Sequence, residues 1–252
     1  MNSANIIRDA VGRVAHLRAQ AHARPNLSAA ILDVKQFQSA RFAATYSDLL
    51  NSKDFSGPTR FFLTELYSAN DYAVRDAQFA RIAGALQTFF PDQVVATAVS
   101  LAQLHVLTEE MDFEMALAWL GVESVGVPAC DSVCKYVKSW ANVDRRQDRE
   151  RQLSVVITVG KELVRLTRTR GLRIMLRMMH RPANVAGLAS LQSFLESGFD
   201  TFAAMASING TAQKFLDTIC ERESKWINLL SANNFAESEA ALRNCLSPVN
   251  LA

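Results

Sequence analysis

The chain predicts an all-α fold: a single-domain bundle of about nine or ten helices around a mostly buried central helix. Three observations carry this expectation. Apolar residues recur every three or four positions along most of the chain, the period of a helix with one dry face. No stretch alternates apolar and polar residues with the period of two that a half-buried strand requires. Gly and Pro number only 10 and 6 in 252 residues, so long uninterrupted elements are expected. A chain of this length can bury a core without disulfide or metal staples.

The elements follow in order. Asn2 to Arg24 places Ile7, Val11, Val14, Leu17 and Ala21 at helical spacing, and Pro25 is expected to end that helix. Ser28 is suited to cap a second helix through about Leu50, with Val34, Phe37 or Gln38, Phe42, Tyr46 and Leu49 on its apolar face. Gly57-Pro58 opens a short third helix, on which Phe62, Leu63, Leu66 and Tyr67 share a face. Asn70 or Asp71 can cap a fourth, carrying Val74, Phe79, Ile82 and Leu86.

The fifth helix, from about Asp92 to Leu120, is apolar nearly all round as far as Val106. That stretch, Asp92 to Val106, is expected to be the most buried helical segment, surrounded by other helices, and Gly121 is expected to end the helix. The dip from Gly121 to Val127 is the only candidate subdomain boundary. Pro128 is expected to start a sixth helix, running to about Val143.

From Arg146 to Arg181 the apolar face reverses. Val155, Val156, Val159, Leu163 and Leu166 lie on one side of a helical wheel, and Leu172, Met175 and Met179 on the other. One straight helix cannot bury both sets against one neighbour, so a break is expected near Thr169-Arg170-Gly171, where Gly permits unusual backbone angles. After Pro182 an eighth helix carries Val185, Leu188, Leu191 and Leu195. Asn209-Gly210 interrupts it, a ninth runs from about Thr211 to Leu230, and a last short one covers Ala236 to Leu246.

Composition excludes several classes. The four cysteines, Cys130, Cys134, Cys220 and Cys245, form no Cys-x-x-Cys pair and no zinc set. They read as small buried apolar residues in a reducing cytoplasm. Arg8, Asp9 and Arg13 stand where a signal peptide needs an apolar stretch. The longest uncharged run, Gln93 to Thr108, falls short of the roughly 20 residues of a membrane helix. No phosphate-binding glycine loop, nucleophile elbow or His-Glu-x-x-His occurs, and no cofactor is expected.

Arg60 to Tyr67, Arg75 to Ile82, Leu104-His105 with Glu109-Glu110, and Leu191 to Ala203 together resemble the bacterial proteins named for an FFLEELY motif. Thr64 stands where that name has its first Glu. The resemblance implies a family and no activity, cofactor or catalytic residue.

On the residues themselves, the aromatic motif reads as packing at one end of a bundle, with Glu65 facing solvent or an arginine. Asp76 suits the first turns of its helix through the dipole, with Arg81 pairing to it or to a neighbouring helix. His105 and Glu109 lie one turn apart, a spacing that could share a metal or a proton. They are the weak metal candidates of the chain and the centre of an alternative reading, a small-ligand or metal pocket. Charge is more asymmetric. Residues 145–181 carry a formal +8 while the rest carries −6. Arg170, Arg173, Arg177 and Arg181 form one stripe, and Lys161, Arg165 and Arg168 another. Such a face attracts anionic groups. With no helix-turn-helix, zinc finger or aromatic platform beside it, nucleic acid is not the expected partner. The main expectation is therefore a cytoplasmic, non-enzymatic interaction or regulatory protein whose basic helical face meets an acidic protein.

Overall fold

The computed structural model describes residues 2–65, 70–124, 130–208 and 210–247. Among them are twelve α-helices and no strand: α1 (Ser3–His22), α2 (Pro25–Thr45), α3 (Ser47–Leu50), α4 (Ser56–Glu65), α5 (Ala73–Phe89), α6 (Asp92–Ser124), α7 (Ser132–Val143), α8 (Arg146–Thr167), α9 (Leu172–Val185), α10 (Ala189–Ser207), α11 (Thr211–Leu230) and α12 (Phe235–Cys245). The count exceeds nine or ten because Tyr46 cuts α3 from α2 and Gly171 cuts α9 from α8. No helix among the described residues is long and apolar enough to cross a membrane.

Several boundaries correct the sequence reading. Pro25 begins α2 instead of ending α1. Its missing N–H costs nothing in a first turn. Ser28 is not a cap; its hydroxyl donates to the Ala21 carbonyl oxygen at 2.9 Å. Asp71 does serve the start of α5, accepting from the Ala73 N–H at 2.9 Å. Gly121 does not stop α6, which continues to Ser124. The proposed boundary at 121–127 falls in part on residues 125–129, outside the described residues, as do the Pro128 start, Asn209, and Leu66 and Tyr67 of the aromatic face. α7 is capped by Asp131, which accepts from the Cys134 N–H at 3.0 Å.

The core is organised along α6, which is packed by α1, α2, α5, α7 and α8; α8 runs beside it from Gln93, which donates to Glu162, to Thr108, which accepts from Gln152. Its most buried stretch is not the expected one. Leu101 is half-buried and Ala96 and Gln103 are exposed, whereas Met111, Met115, Ala116 and Trp119 are buried. Tertiary neighbours, not local hydropathy, decide which turns are covered.

A second core joins α4, α8, α10 and α11. Phe62 meets Phe215 edge-on at 5.3 Å and Phe61 stacks on Phe194 at 5.9 Å. Here α8 and α11 touch closely: a Cβ on Gly160 would lie 2.6 Å from a Leu216 methyl.

The break between α8 and α9 is where the wheel places it. Gly171 sits at φ +83°, a left-handed conformation that costs other residues their Cβ clearance. Before it Val159 and Leu166 are buried; after it Leu172 is buried, with Met175 and Leu176 packed beside Phe199 of α10. One boundary here differs from expectation. α9 runs through Pro182 to Val185, so Val185 belongs to α9 and is exposed.

Cysteine placement also corrects the sequence. Cys130 and Cys134 are joined by a disulfide, with Cα atoms 5.3 Å apart. Cys220 is exposed and Cys245 half-buried, both as thiols. None of the four is a buried core residue.

Candidate functional site

The four phrases that carry the resemblance meet in space around α5. Arg75 pairs with Glu65 at 2.9 Å, and its guanidinium lies 3.8 Å from the Tyr72 ring centre and 4.4 Å from that of Phe194. Asp76 is buried and receives Arg18 at 2.7 Å and His105 Nε2 at 2.9 Å. It lies in the first turn of α5, as the sequence reading expects, and is also a junction of α1, α5 and α6. Gln78 Oε1 accepts from the Leu191 N–H at 2.8 Å, satisfying a first-turn donor of α10 that no side chain of α10 caps. Arg81 does not reach Asp76; it donates to the Ala186 carbonyl in the α9–α10 turn. The motif residues are a structural knot that fixes α10 and the end of α9.

His105 and Glu109 do not converge. His105 turns to Asp76, whereas Glu109 accepts from Lys35 Nζ at 2.7 Å. Among the described residues no group of three His, Cys, Asp or Glu could hold a metal. Burial raises the Asp76 carboxyl pKa, but the hydrogen bonds and charges of His105 and Arg18 outweigh it and hold the carboxyl below its ordinary value.

The sequence reading missed a buried polar seam between α2, α6, α8 and α11. Arg41 grips Glu223 with both terminal nitrogens, at 3.0 and 2.8 Å, and Tyr46 donates to the same carboxylate at 2.9 Å. Asp112 is buried, with Lys35 Nζ at 3.9 Å. Its burial pushes the carboxyl pKa up, against the pull of Lys35. Arg149 is buried with its guanidinium 3.5 Å from the Trp140 ring centre, and among the described residues its Nε and Nη2 have no hydrogen-bond partner. Burial lowers its pKa. These residues lock helices together.

The remaining candidate is the basic stretch, and the structure divides it. Its first half is partly balanced: Arg145 pairs with Glu114 and Asp148, Arg146 with Glu150, Arg165 with Glu162, and Arg149 is internal, while Arg151, Lys161 and Arg168 are exposed with no acidic group within ion-pair distance among the described residues. In the second half the exposed arginines stand beside exposed apolar side chains. α9 rests on α10 through Leu172, Met175 and Leu176. Gln192 Nε2 donates to the Leu176 carbonyl at 2.7 Å, and His180 lies 3.0 Å from Glu196. Arg173 also faces α10, pairing with Asp200 at 2.8 Å, so it leaves the outward stripe predicted for it. The same two helices border an open groove of about 470 Å³, lined by Arg173, Leu176, Arg177, Met178, His180, Arg181, Glu196, Phe199 and Asp200.

Arg170, Arg177 and Arg181 stay exposed. Among the described residues none of them has an acidic group within ion-pair distance. Beside them stand Ile174 (65% exposed), Met178 (73%) and Val185 (91%). Arg170 stands in the turn before Gly171; at 100° per residue the five positions on α9 fall within one arc of about 100°, arginines on one flank and apolar residues on the other.

Residues 17–237 match the model of a family described as a domain of unknown function, DUF8198, and the chain belongs to that family. No curated protein and no solved structure matches it.

Proposed function

We propose that this DUF8198 member is a non-enzymatic interaction or regulatory protein that docks an acidic protein on the outward face of α9. The single observation that supports this is the exposure of Ile174, Met178 and Val185 beside Arg170, Arg177 and Arg181. Large apolar side chains cost free energy in water, and unpaired arginines of one sign attract carboxylates. Together they suit a partner that is acidic and also apolar. The pinning of α9 by Gln192, Arg173, His180 and Arg81 keeps the face in one geometry, which lowers the ordering cost of binding. We further place the chain as one domain, in the cytoplasm of a bacterium, among the FFLEELY-motif proteins. A bridge such as Cys130–Cys134 is exceptional in that compartment. The alternative pocket at His105 and Glu109 has no observation in its favour, because the two side chains go to different partners.

A photo-crosslinking residue in place of Met178, introduced in cells of the native host, tests the docking. The expected adduct is an acidic protein. It should be absent when the crosslinker replaces exposed Lys214 on α11, and lost in the Arg177→Glu/Arg181→Glu variant. Equal labelling from both positions, or no acidic protein at Met178, overturns the proposal.

A further inference from the structure

Building on the docking role just proposed, we infer that the acidic partner presents an amphipathic α-helix, laid along α9 with its apolar edge on Ile174, Met178 and Val185 and its carboxylates toward Arg177 and Arg181.

The shape of the face sets the shape of its complement. Ile174 and Val185 are eleven positions apart, so the apolar ridge is about 16 Å long at 1.5 Å per residue. It follows one helix, with Pro182 in its last turns. Arg177 and Arg181 lie at i and i+4 along one flank only, and the opposite flank continues through Met175, which packs beside Phe199, and Met179, which is exposed although the wheel places it on the covered side. A second helix with apolar residues at the same spacing, and Glu or Asp on one side, meets every feature of this surface. Arginine forks take carboxylates in pairs.

An extended acidic segment fits less well. The described residues hold no strand, so the surface offers no sheet edge to satisfy an extended backbone. A helix arrives with its own backbone bonds made. A lipid surface also fits less well. Residues 168–189 include no Trp, Tyr or Phe, the side chains that seat a helix at a membrane interface.

The test uses the full-length chain and defined probes. The first is a synthetic peptide of about 18 residues, roughly 27 Å as a helix, with leucines at i, i+4 and i+11 and glutamates along one flank. Its controls are a scrambled peptide of the same composition, poly-glutamate of equal length, and phosphatidylserine vesicles. Affinity is read by fluorescence anisotropy and peptide helicity by circular dichroism. The patterned peptide should bind about tenfold tighter than the scrambled one or poly-glutamate and gain helicity on binding, as burial of the ridge predicts. Met178→Ser should weaken it by about tenfold with the salt dependence kept. Arg177→Glu/Arg181→Glu should remove the salt dependence. Both variants should melt as the parent does.

Equal binding of poly-glutamate would overturn the helix while leaving acidic docking standing. Failure of every acidic probe would overturn both. Vesicle binding lost in the arginine variant, with no peptide binding, would assign the face to a membrane. Self-association abolished by Met178→Ser would assign it to a second copy of the chain. Either result overturns the acidic helix.

Discussion

Arg149 and Arg177 come from the same basic stretch and end in opposite surroundings. Arg149 is buried against Trp140 in the polar seam; Arg177 stands on the outward face of α9. In the seam each charge is set against another inside a water-poor interior: Arg41 on Glu223, Lys35 on Glu109, with Asp112 and Arg149 left only partly compensated. On α9 the charges are solvent-exposed: Arg173 pairs with Asp200, and Arg177 acts on Glu196 without an ion-pair contact. The lesson is that net charge along the chain does not say which arginines a partner can reach. The seam's substitutions should therefore move stability and leave docking intact, and those on α9 should do the reverse.

The largest effect is expected at the Arg41–Glu223 pair. Glu223→Ala leaves a buried guanidinium without its carboxylate and removes the Tyr46 acceptor. Loss of one partner of a buried ion pair costs about 3–5 kcal/mol, a fall in melting temperature of roughly 10 °C for a chain of this size. A fall no larger than that of a surface substitution would show that water enters the seam, and the contrast with α9 would collapse.

Asp76 comes next, and it carries a pH signature. Its carboxyl is held below its ordinary value in the fold, where burial is outweighed by His105 and Arg18. A depressed folded value favours the fold at any pH above the unfolded value, and that contribution vanishes as pH falls through the folded one. Asp76→Asn should cost about 1–3 kcal/mol at neutral pH, the scale of a broken charge-assisted hydrogen bond. In acid the gap between variant and parent should close. A gap independent of pH would mean that Asp76 acts through packing alone.

Asp112 sharpens the comparison by having the opposite sign. Burial raises its carboxyl against the pull of Lys35, so ionising it in the fold costs stability, and the cost appears as pH rises above the unfolded value. Asp112→Asn should stabilise the protein at neutral pH by roughly 1 kcal/mol, a usual size for a helpful single substitution. The gain should shrink in acid. A loss at neutral pH would show that Lys35 needs both carboxylates.

Much of this architecture was legible in the chain. The reversal of apolar positions across Gly171 located a real break, because a helical wheel is a geometric constraint that no tertiary contact can lift. Thr211 to Leu230 was legible for the same reason, its face running through Phe215, Ile219 and Ile227. The seam was not, because a buried ion and a solvated one are the same letter. One signal could have found it. Arg41 is four positions after Phe37 and seven after Val34, and Glu223 lies midway between Ile219 and Ile227. A charged residue at a core-face register needs a partner, and two such residues suggest each other. Asp76, in register with Phe79 and Ala83, is a third case. Pro25 misled because proline marks both the end of one helix and the first turn of the next. The destinations of His105 and Glu109 needed α1, α2 and α5 in place, which spacing within α6 cannot supply.

The smallest effect on stability belongs to α9, and there the two arginines should separate. Arg177→Glu changes an exposed charge with no ion-pair partner among the described residues, so its cost should lie within about 0.5 kcal/mol. Arg173→Glu breaks the 2.8 Å contact with Asp200 and puts two carboxylates side by side. Both groups are about half exposed, with side-chain exposures of 52%, so solvent screens the loss and it should stay near 1 kcal/mol or below. It should also shrink at high salt, where exposed charges are screened over a few ångströms. Thermal melts of the two variants at low and high salt check the ordering. If Arg177→Glu proved the more damaging, its side chain would be holding α9 to the bundle. The outward face would then lose its open charge, and the distinction between an interior that spends its arginines and a surface that offers them would rest on Arg170 and Arg181 alone.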